Sequence, residues 1–247
     1  MLEKVEGVII RTQDYGETHI IATLLSNKLG KIGVLARGAK KPKSRMSAVT
    51  QLFIHGEYLV RIGKGLSVIE QGDVIQSHRK IREDIFLTAY ASYLAELTNI
   101  LLDEKTPNHY VYQQFLATLN GITEQKDPLV LTMMYEMKLY KVAGFAPIID
   151  YCQSCQRTDQ ICAFSIKEAG VLCQRCLAVD PNHRPINQTQ YKLLRLFAAV
   201  DMERIANITV KEENKLIIQN ILEQYYETYG SLALKSRKFL KQIDKLK

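Results

Sequence analysis

The chain has 247 residues, 47% hydrophobic and 24% charged, the balance of an ordinary folded protein with room for one large domain or two smaller ones. Its apolar runs are far too short to span a bilayer, and the opening MLEKVEGVIIRTQDYGE has scattered charges and no continuous apolar core, so neither a membrane span nor a secretory signal is expected. The formal net charge of +7 is lopsided: residues 1–80 carry 13 Lys and Arg against 7 Asp and Glu, whereas the other 167 residues carry 20 against 19.

The first 80 residues read as strands. Val5–Arg11 and His19–Leu25 are short and rich in β-branched residues, and Ile32–Ala36 follows a turn at Gly30 and Lys31. Leu52–Ile62 has a β pattern interrupted at Gly56, and Leu66–Ile75 follows the turn Gly63-Lys64-Gly65. Five short strands with Gly-rich turns predict a small closed barrel, and the order of three strands, a long loop and two strands suits an OB-fold over residues 1–80.

The long loop, Arg37–Val49, carries the densest basic cluster. Between Glu17 and Glu57 there is no acidic residue, while Lys28, Lys31, Arg37, Lys40, Lys41, Lys43 and Arg45 all fall there. A generic basic stretch serves solubility alone; the absence of every acid over this window favours a phosphate-binding surface. Strands 2 and 3 of an OB-fold and the adjoining loops usually hold the ligand. That places Lys31, Arg37, Lys40, Lys41, Lys43 and Arg45 on or beside the face, with Arg11 and Arg61 bordering it. Single-strand binders also stack bases on aromatic rings. Phe53 and Tyr58 lie in strand-like runs and are expected in the core, which leaves Tyr15, beside Gly16, as the stacking candidate. With few stackers and many cations, binding should be dominated by phosphate contacts, accept single and double strands of any sequence, and weaken steeply with salt.

After His78 the pattern turns helical, with Ile81, Ile85, Ala89, Leu94, Leu97, Ile100 and Leu101 at helical spacing. A second helix is predicted over Asn108–Leu119, and a third begins with Asp127 as N-cap, Pro128 in the first position and Gly144 near its end. Helices resume near Asn187, whose side chain suits an N-cap. Leu193, Leu194, Phe197 and Val200 form one stripe; Ile218, Ile221, Leu222, Tyr225 and Tyr229 form another, closed by Gly230. Leu232–Lys247 reads as a basic amphipathic helix. The fold expected is therefore α+β: an N-terminal OB-fold barrel, then an all-α domain over 81–247 with a Cys-rich insertion at about 148–180.

Cys152-Gln-Ser-Cys155 and Cys173-Gln-Arg-Cys176 are two CxxC pairs separated by 17 residues, the spacing of a four-cysteine zinc site. Two residues between cysteines make a tight knuckle that aims both sulfurs at one ion; two knuckles complete a tetrahedron, and the segment between them forms a hairpin. Four protein ligands leave no open position for water, so the one zinc ion expected is structural. A thioredoxin-like redox pair would need a βαβ setting, which the sequence lacks. Cys162, between the knuckles, reads as a small buried hydrophobe rather than a ligand. The five cysteines fit a reducing compartment, so a cytoplasmic protein is expected.

Catalytic signatures are missing. No phosphate-cradling G-x-x-x-x-G-K-[ST] loop, HExxH or GxSxG motif is present. His19, His55, His78, His109 and His183 are scattered without ligand spacing, and Glu17 near His19 suits a turn better than acid–base work. An enzyme is not expected.

Several segments together resemble the RecO family of bacterial recombination mediators, across essentially the whole chain. They are Gly7-Val8-Ile9-Ile10-Arg11 with Tyr15-Gly16-Glu17-Thr18, and Gly30-Lys31 with Val34 to Lys41. Tyr140 to Pro147 follows, leading into Cys152, and then Leu234 to Leu240, with both knuckles complete between them. The resemblance implies an OB-fold followed by a helical domain with a zinc ribbon. It implies binding to single- and double-stranded DNA, annealing of complementary strands, and, with RecR, loading of RecA onto DNA coated with single-stranded DNA-binding protein. Arg37, Lys40, Lys41, Lys43 and Arg45 match the family's DNA-binding region. It further implies a cytoplasmic, nucleoid-associated protein whose helical domain grips the acidic C-terminal tail of single-stranded DNA-binding protein, with Arg79, Lys80, Arg82, Lys138 and Lys141 as candidate rim cations. An RNA-binding assembly factor built from a barrel and a ribbon is the alternative.

Overall fold

A computed structural model describes residues 1–205, 208–230 and 233–244. The first strand, β1 (Leu2–Tyr15), is long enough to serve two neighbours. Its first half pairs with β4 (His55–Arg61) and its second half with β2 (His19–Ser26), both antiparallel. A register shift between Ile9 and Arg11 lets it bend between the two pairings. With β3 (Gly30–Ala36) and β5 (Ser67–Gln76), which pair in parallel, the sheet closes in the order β1-β2-β3-β5-β4, the five-stranded OB arrangement expected. The barrel interior is filled by alternate residues of the strands: Val5, Ile9, Ala22, Leu24, Ile32, Val34, Tyr58, Val60 and Ile69 are all at most 4% exposed.

The long loop contains a short helix, α1 (Arg45–Val49), and Val49 joins this core. Tyr58 donates its hydroxyl to the Val49 carbonyl at 3.0 Å, so burial of the phenol leaves its hydroxyl satisfied while pushing its pKa up. The expected strand at Leu52–Ile62 starts later, at His55, because Phe53 takes a φ of 65°, outside the extended range, and its side chain is fully buried. Gly56 lies inside β4, and the interruption expected there is a shift in the register with β5 between His55 and Gly56; a Cβ at Gly56 would meet the Asp73 carbonyl at 2.6 Å.

The single helical run read after His78 is two helices, α2 (Arg79–Glu83) and α3 (Ile85–Leu101). Asp84 breaks the run with extended backbone, and its carboxylate accepts from the N–H groups of Phe86 and Leu87 as an N-cap. Asn108 caps α4 (His109–Thr123) through the Val111 N–H, and α5 (Pro128–Val142) starts on its proline as expected. Every residue from Val130 to Tyr140 is buried, making α5 a central helix of its unit. A hairpin follows, β6 (Ile161–Ser165) with β7 (Gly170–Cys173), joined by the short β8 (Arg184–Pro185). Next come α6 (Gln188–Ala199), opened by an Asn187–Gln190 capping box, and α7 (Glu212–Tyr229). The last helix, α8 (Lys235–Asp244), starts at Lys235, Ala233 and Leu234 lying outside it; Leu232 and residues 245–247 of the stretch read from the pattern lie outside the described residues.

The chain forms two compact units. One comprises Met1–Pro128 together with the segment from Leu234 onward, so α8 packs along α3 in the unit that holds the barrel. The other spans Leu129–Ala233 and contains the cysteine hairpin and α5 to α7. No helix among the described residues is long and apolar enough to cross a membrane.

Candidate functional site

The basic loop is tied down at the β1–β2 hairpin. The Lys40 N–H donates to the Thr18 carbonyl at 3.0 Å and the Gly38 N–H to Nδ1 of His19 at 2.9 Å, with Gly38 turning the chain at a φ of +66°. These bonds set the loop's cations beside the hairpin that carries Tyr15, which is 52% exposed. His19 thus has a structural task that the sequence did not disclose. Arg37, Lys41, Lys43 and Arg45 are exposed and have no carboxylate partner among the described residues. Lys40 differs, because its ammonium lies 2.6 Å from the Asp14 carboxylate.

Arg11 is exposed on the same face of β1 as Tyr15, four residues along, and is also unpaired among the described residues. Arg61 is engaged by Glu70 at 2.7 Å. Phe53 and Tyr58 are fully buried, in line with their expected place in the core. Lys31 does not join the face. It is 8% exposed, and its Nζ donates to the Asn99 carbonyl at 2.5 Å, one of the last carbonyls of α3. Burial holds its pKa below the usual lysine value, partly countered by Glu104 and Asp103. The turn at Gly30 and Lys31 brings this lysine against the helices, so its charge caps a helix end.

Of the rim cations, Lys138 is 2% exposed inside α5 and donates to the Phe197 carbonyl at 3.0 Å, so it is a core residue. Burial lowers its pKa to about 8. Arg82 donates to the carbonyls of Leu52 and Ser77, and Arg79 pairs with Glu83 along α2.

The second constellation is the four-cysteine group. The Sγ atoms of Cys152, Cys155, Cys173 and Cys176 all lie within 4.8 Å of one another. The Cys155–Cys173 separation of 3.6 Å far exceeds a disulfide bond of about 2.05 Å. It matches the edge of about 3.8 Å required by a tetrahedral ion with sulfurs at about 2.3 Å. The first knuckle is held by the Cys152 N–H to the Arg157 carbonyl and the Gln156 N–H to the Cys152 carbonyl, with Gln156 at a φ of 61°. The second hangs from the end of β7, where Cys173 pairs with Ile161 of β6. Burial pushes the Cys152 thiol up, but N–H groups of Cys173, Cys155 and Ser154, with the Cys155 side chain, outweigh it and lower it, whereas burial raises Cys173 and the neighbouring thiols raise Cys176, so without an ion the four do not all ionise alike. Close approach of the Ile148 strand segment requires a glycine at position 170, where a Cβ would lie 2.6 Å from the Ile148 carbonyl. Cys162 is not part of the group; it sits at the β6 register shift, half-buried, and its carbonyl accepts from the Ile186 N–H.

The hairpin is bound into its unit by aromatic rings. Phe164 of β6 meets Tyr225 of α7 edge-on at 5.9 Å, and the Tyr229 hydroxyl donates to the Ile166 carbonyl at 2.8 Å. Tyr225 also donates to the Phe145 carbonyl, and Phe145 packs on Tyr140 of α5 at 4.9 Å.

A closed OB barrel bearing a basic loop, with a helical body that contains a clustered four-cysteine group, defines the class: a two-unit α+β protein with a metal-binding ribbon. Residues 1–78 match the family model described as Recombination protein O N terminal, and residues 82–238 match Recombination protein O C terminal. The chain is 52% identical over 244 residues to the DNA repair protein RecO of Oceanobacillus iheyensis, covering 99% of this chain and 95% of that protein. It is 46% identical to that of Bacillus cytotoxicus and 44% identical to that of Bacillus mycoides, each over 245 residues and 99% of both chains. The chain belongs to the RecO family of DNA repair proteins.

Proposed function

We propose that this chain is a DNA-binding recombination mediator without catalytic activity. It binds single- and double-stranded DNA, anneals complementary strands and, with RecR, helps load RecA onto DNA coated with single-stranded DNA-binding protein, whose C-terminal tail it contacts. One zinc ion in the four-cysteine group keeps the ribbon folded, and the protein works in the cytoplasm at the nucleoid. The observation that carries the DNA reading is the loop: Arg37, Lys41, Lys43 and Arg45 are exposed, unpaired among the described residues, and anchored beside Tyr15 and Arg11. Unpaired cations on a fixed loop neutralise phosphates and release condensed counterions, which makes affinity depend on salt rather than on sequence.

A salt titration tests it. Each phosphate contact contributes a slope of about −0.7 on single strands and about −0.9 on duplex in a plot of log affinity against log salt. The double substitution Lys41→Ala/Lys43→Ala should reduce the slope by about 1.4 and about 1.8 respectively, with an unchanged melting temperature. Unaltered slopes on both forms would remove the loop from the interface. Annealing of complementary strands coated with single-stranded DNA-binding protein should slow in the same variant.

A further inference from the structure

The charge counts conceal a second basic segment. Between Glu227 and Asp244 there is no acid, while Lys235, Arg237, Lys238 and Lys241 fall within seven residues. In the fold, Leu234, Arg237, Leu240 and Ile243 are buried, leaving Lys235, Lys238 and Phe239 exposed, the phenylalanine by 39%. Lys235 and Phe239 are four apart on a helix and therefore neighbours on one face, with Lys238 beside them. Neither lysine has a carboxylate partner among the described residues. The nearby Glu96 is already committed: its carboxylate accepts from the N–H groups of Lys235 and Ser236, at 3.2 and 2.7 Å, and from the Ser236 hydroxyl, fixing the start of α8 on α3.

This helix adjoins the proposed DNA face. A cleft of about 490 Å³ is lined by Arg11 and Thr12 of β1, by Ser92 and Asn99 of α3, and by Lys235 and Ser236 of α8. Arg11 stands roughly 13 Å along β1 from Tyr15, at about 3.3 Å per residue. Arg11, on the strand that carries Tyr15 beside the basic loop, and Lys235, on the helix that carries Lys238 and Phe239, thus line one cleft. Aromatic rings among cations are what a single-strand binder needs for base stacking, and the barrel itself spends Phe53 and Tyr58 on its core.

We infer that the exposed face of α8 is a second contact for single-stranded DNA, in which Lys235 and Lys238 hold phosphates and Phe239 stacks on a base. This rests on the DNA-binding reading above and extends it beyond the barrel. A base face is open in a single strand and closed in a duplex, so Phe239 discriminates between the two, whereas the loop does not.

The chain contains no tryptophan, so Phe239→Trp installs a sole reporter. Its emission should be quenched by oligothymidine, with the midpoint seen by anisotropy of the labelled strand, and should stay unchanged with duplex. Phe239→Ala should weaken oligothymidine binding about tenfold, within the range for losing one stacked base, and leave duplex affinity within about twofold. Lys235→Ala/Lys238→Ala should lower the single-strand salt slope by about 1.4. If the wild type binds and Lys41→Ala/Lys43→Ala weakens it while the tryptophan emission and both α8 variants are unmoved, the helix is not a contact and the loop reading stands. If the wild type binds no DNA at any salt, both fall.

Discussion

Lys31→Met separates two roles that a lysine in a basic segment can have. By sequence Lys31 belongs with the phosphate contacts; in the fold it is 8% exposed and donates to the Asn99 carbonyl at the end of α3. Its backbone carbonyl also accepts from the Lys105 N–H at 2.9 Å, so the residue joins the barrel by one bond to α3 and by another to the segment after it. Methionine keeps the apolar stem and the backbone bond and removes only the ammonium. A hydrogen bond from a charged group contributes about 1.5–3 kcal/mol, and relief of the burial that lowers the Lys31 pKa offsets part of it. A net loss of about 1–2 kcal/mol follows, or a fall of about 4 °C in melting temperature for a chain of this length. Thermal unfolding followed by circular dichroism, alongside anisotropy binding to labelled strands, reads both quantities. The expected outcome is lower stability with DNA affinity within about twofold of wild type and an unchanged salt slope. Weaker, less salt-dependent binding at an unchanged melting temperature would refute the assignment and return Lys31 to the interface.

Chelation, or Cys173→Ser, should release one equivalent of zinc and lower the melting temperature by several degrees, because metal binding and folding of the ribbon are coupled; Cys162→Ser should leave the metal content unchanged. Metal analysis with calorimetry checks both. Asp14→Asn should strengthen DNA binding and steepen the single-strand salt slope by about 0.7, since it frees Lys40 from its 2.6 Å ion pair; unchanged binding would show that Lys40 is not a contact. Burial, with His55 and Arg82 nearby, pushes His78 down to about 4. The folded state therefore rejects a proton that the unfolded chain takes up below about 6.5, and stability present above that pH is lost as pH falls toward 4, by up to about 3 kcal/mol. His78→Asn keeps the left-handed backbone, at a φ of 45°, and should flatten that part of the pH–stability curve; identical curves would place the acid sensitivity elsewhere.

The barrel was legible because its signals are local. β-branched runs alternate inside and outside, and Gly-rich turns punctuate them, so the five strands of the barrel could be read along the chain. Their ends were not legible where a single residue overrides the run. β1 continues through the polar Thr12-Gln13-Asp14 because it pairs with β2, and Phe53 leaves the strand pattern with a left-handed backbone and a fully buried side chain. Asp84 split an apparently continuous helix because a short carboxylate finds better bonds at an N-cap than within a helix. The four cysteines were the most legible feature, since the geometry of a knuckle is written in two-residue spacing and needs only the hairpin to bring the pairs together.

Charge was the least faithful guide, for a physical reason. A cluster in sequence marks a surface only where the backbone leaves each side chain in water, and that depends on contacts between residues far apart. Lys31 and Lys138 look like surface cations, yet each reaches a carbonyl, near the end of α3 and at Phe197 of α6, which is a favourable place for a buried ammonium. Averaging misleads in the other direction. The near-neutral balance of the last two thirds masks the basic helix that the pattern at its end reveals, and the pattern does not tell that this helix returns to the unit of the chain's beginning and sets Lys235 at the cleft lined by Arg11. Each end of the chain carries its own basic signature, but their meeting at one cleft has none in either end alone. It becomes visible only when burial, pairing and proximity are read for each cation in turn.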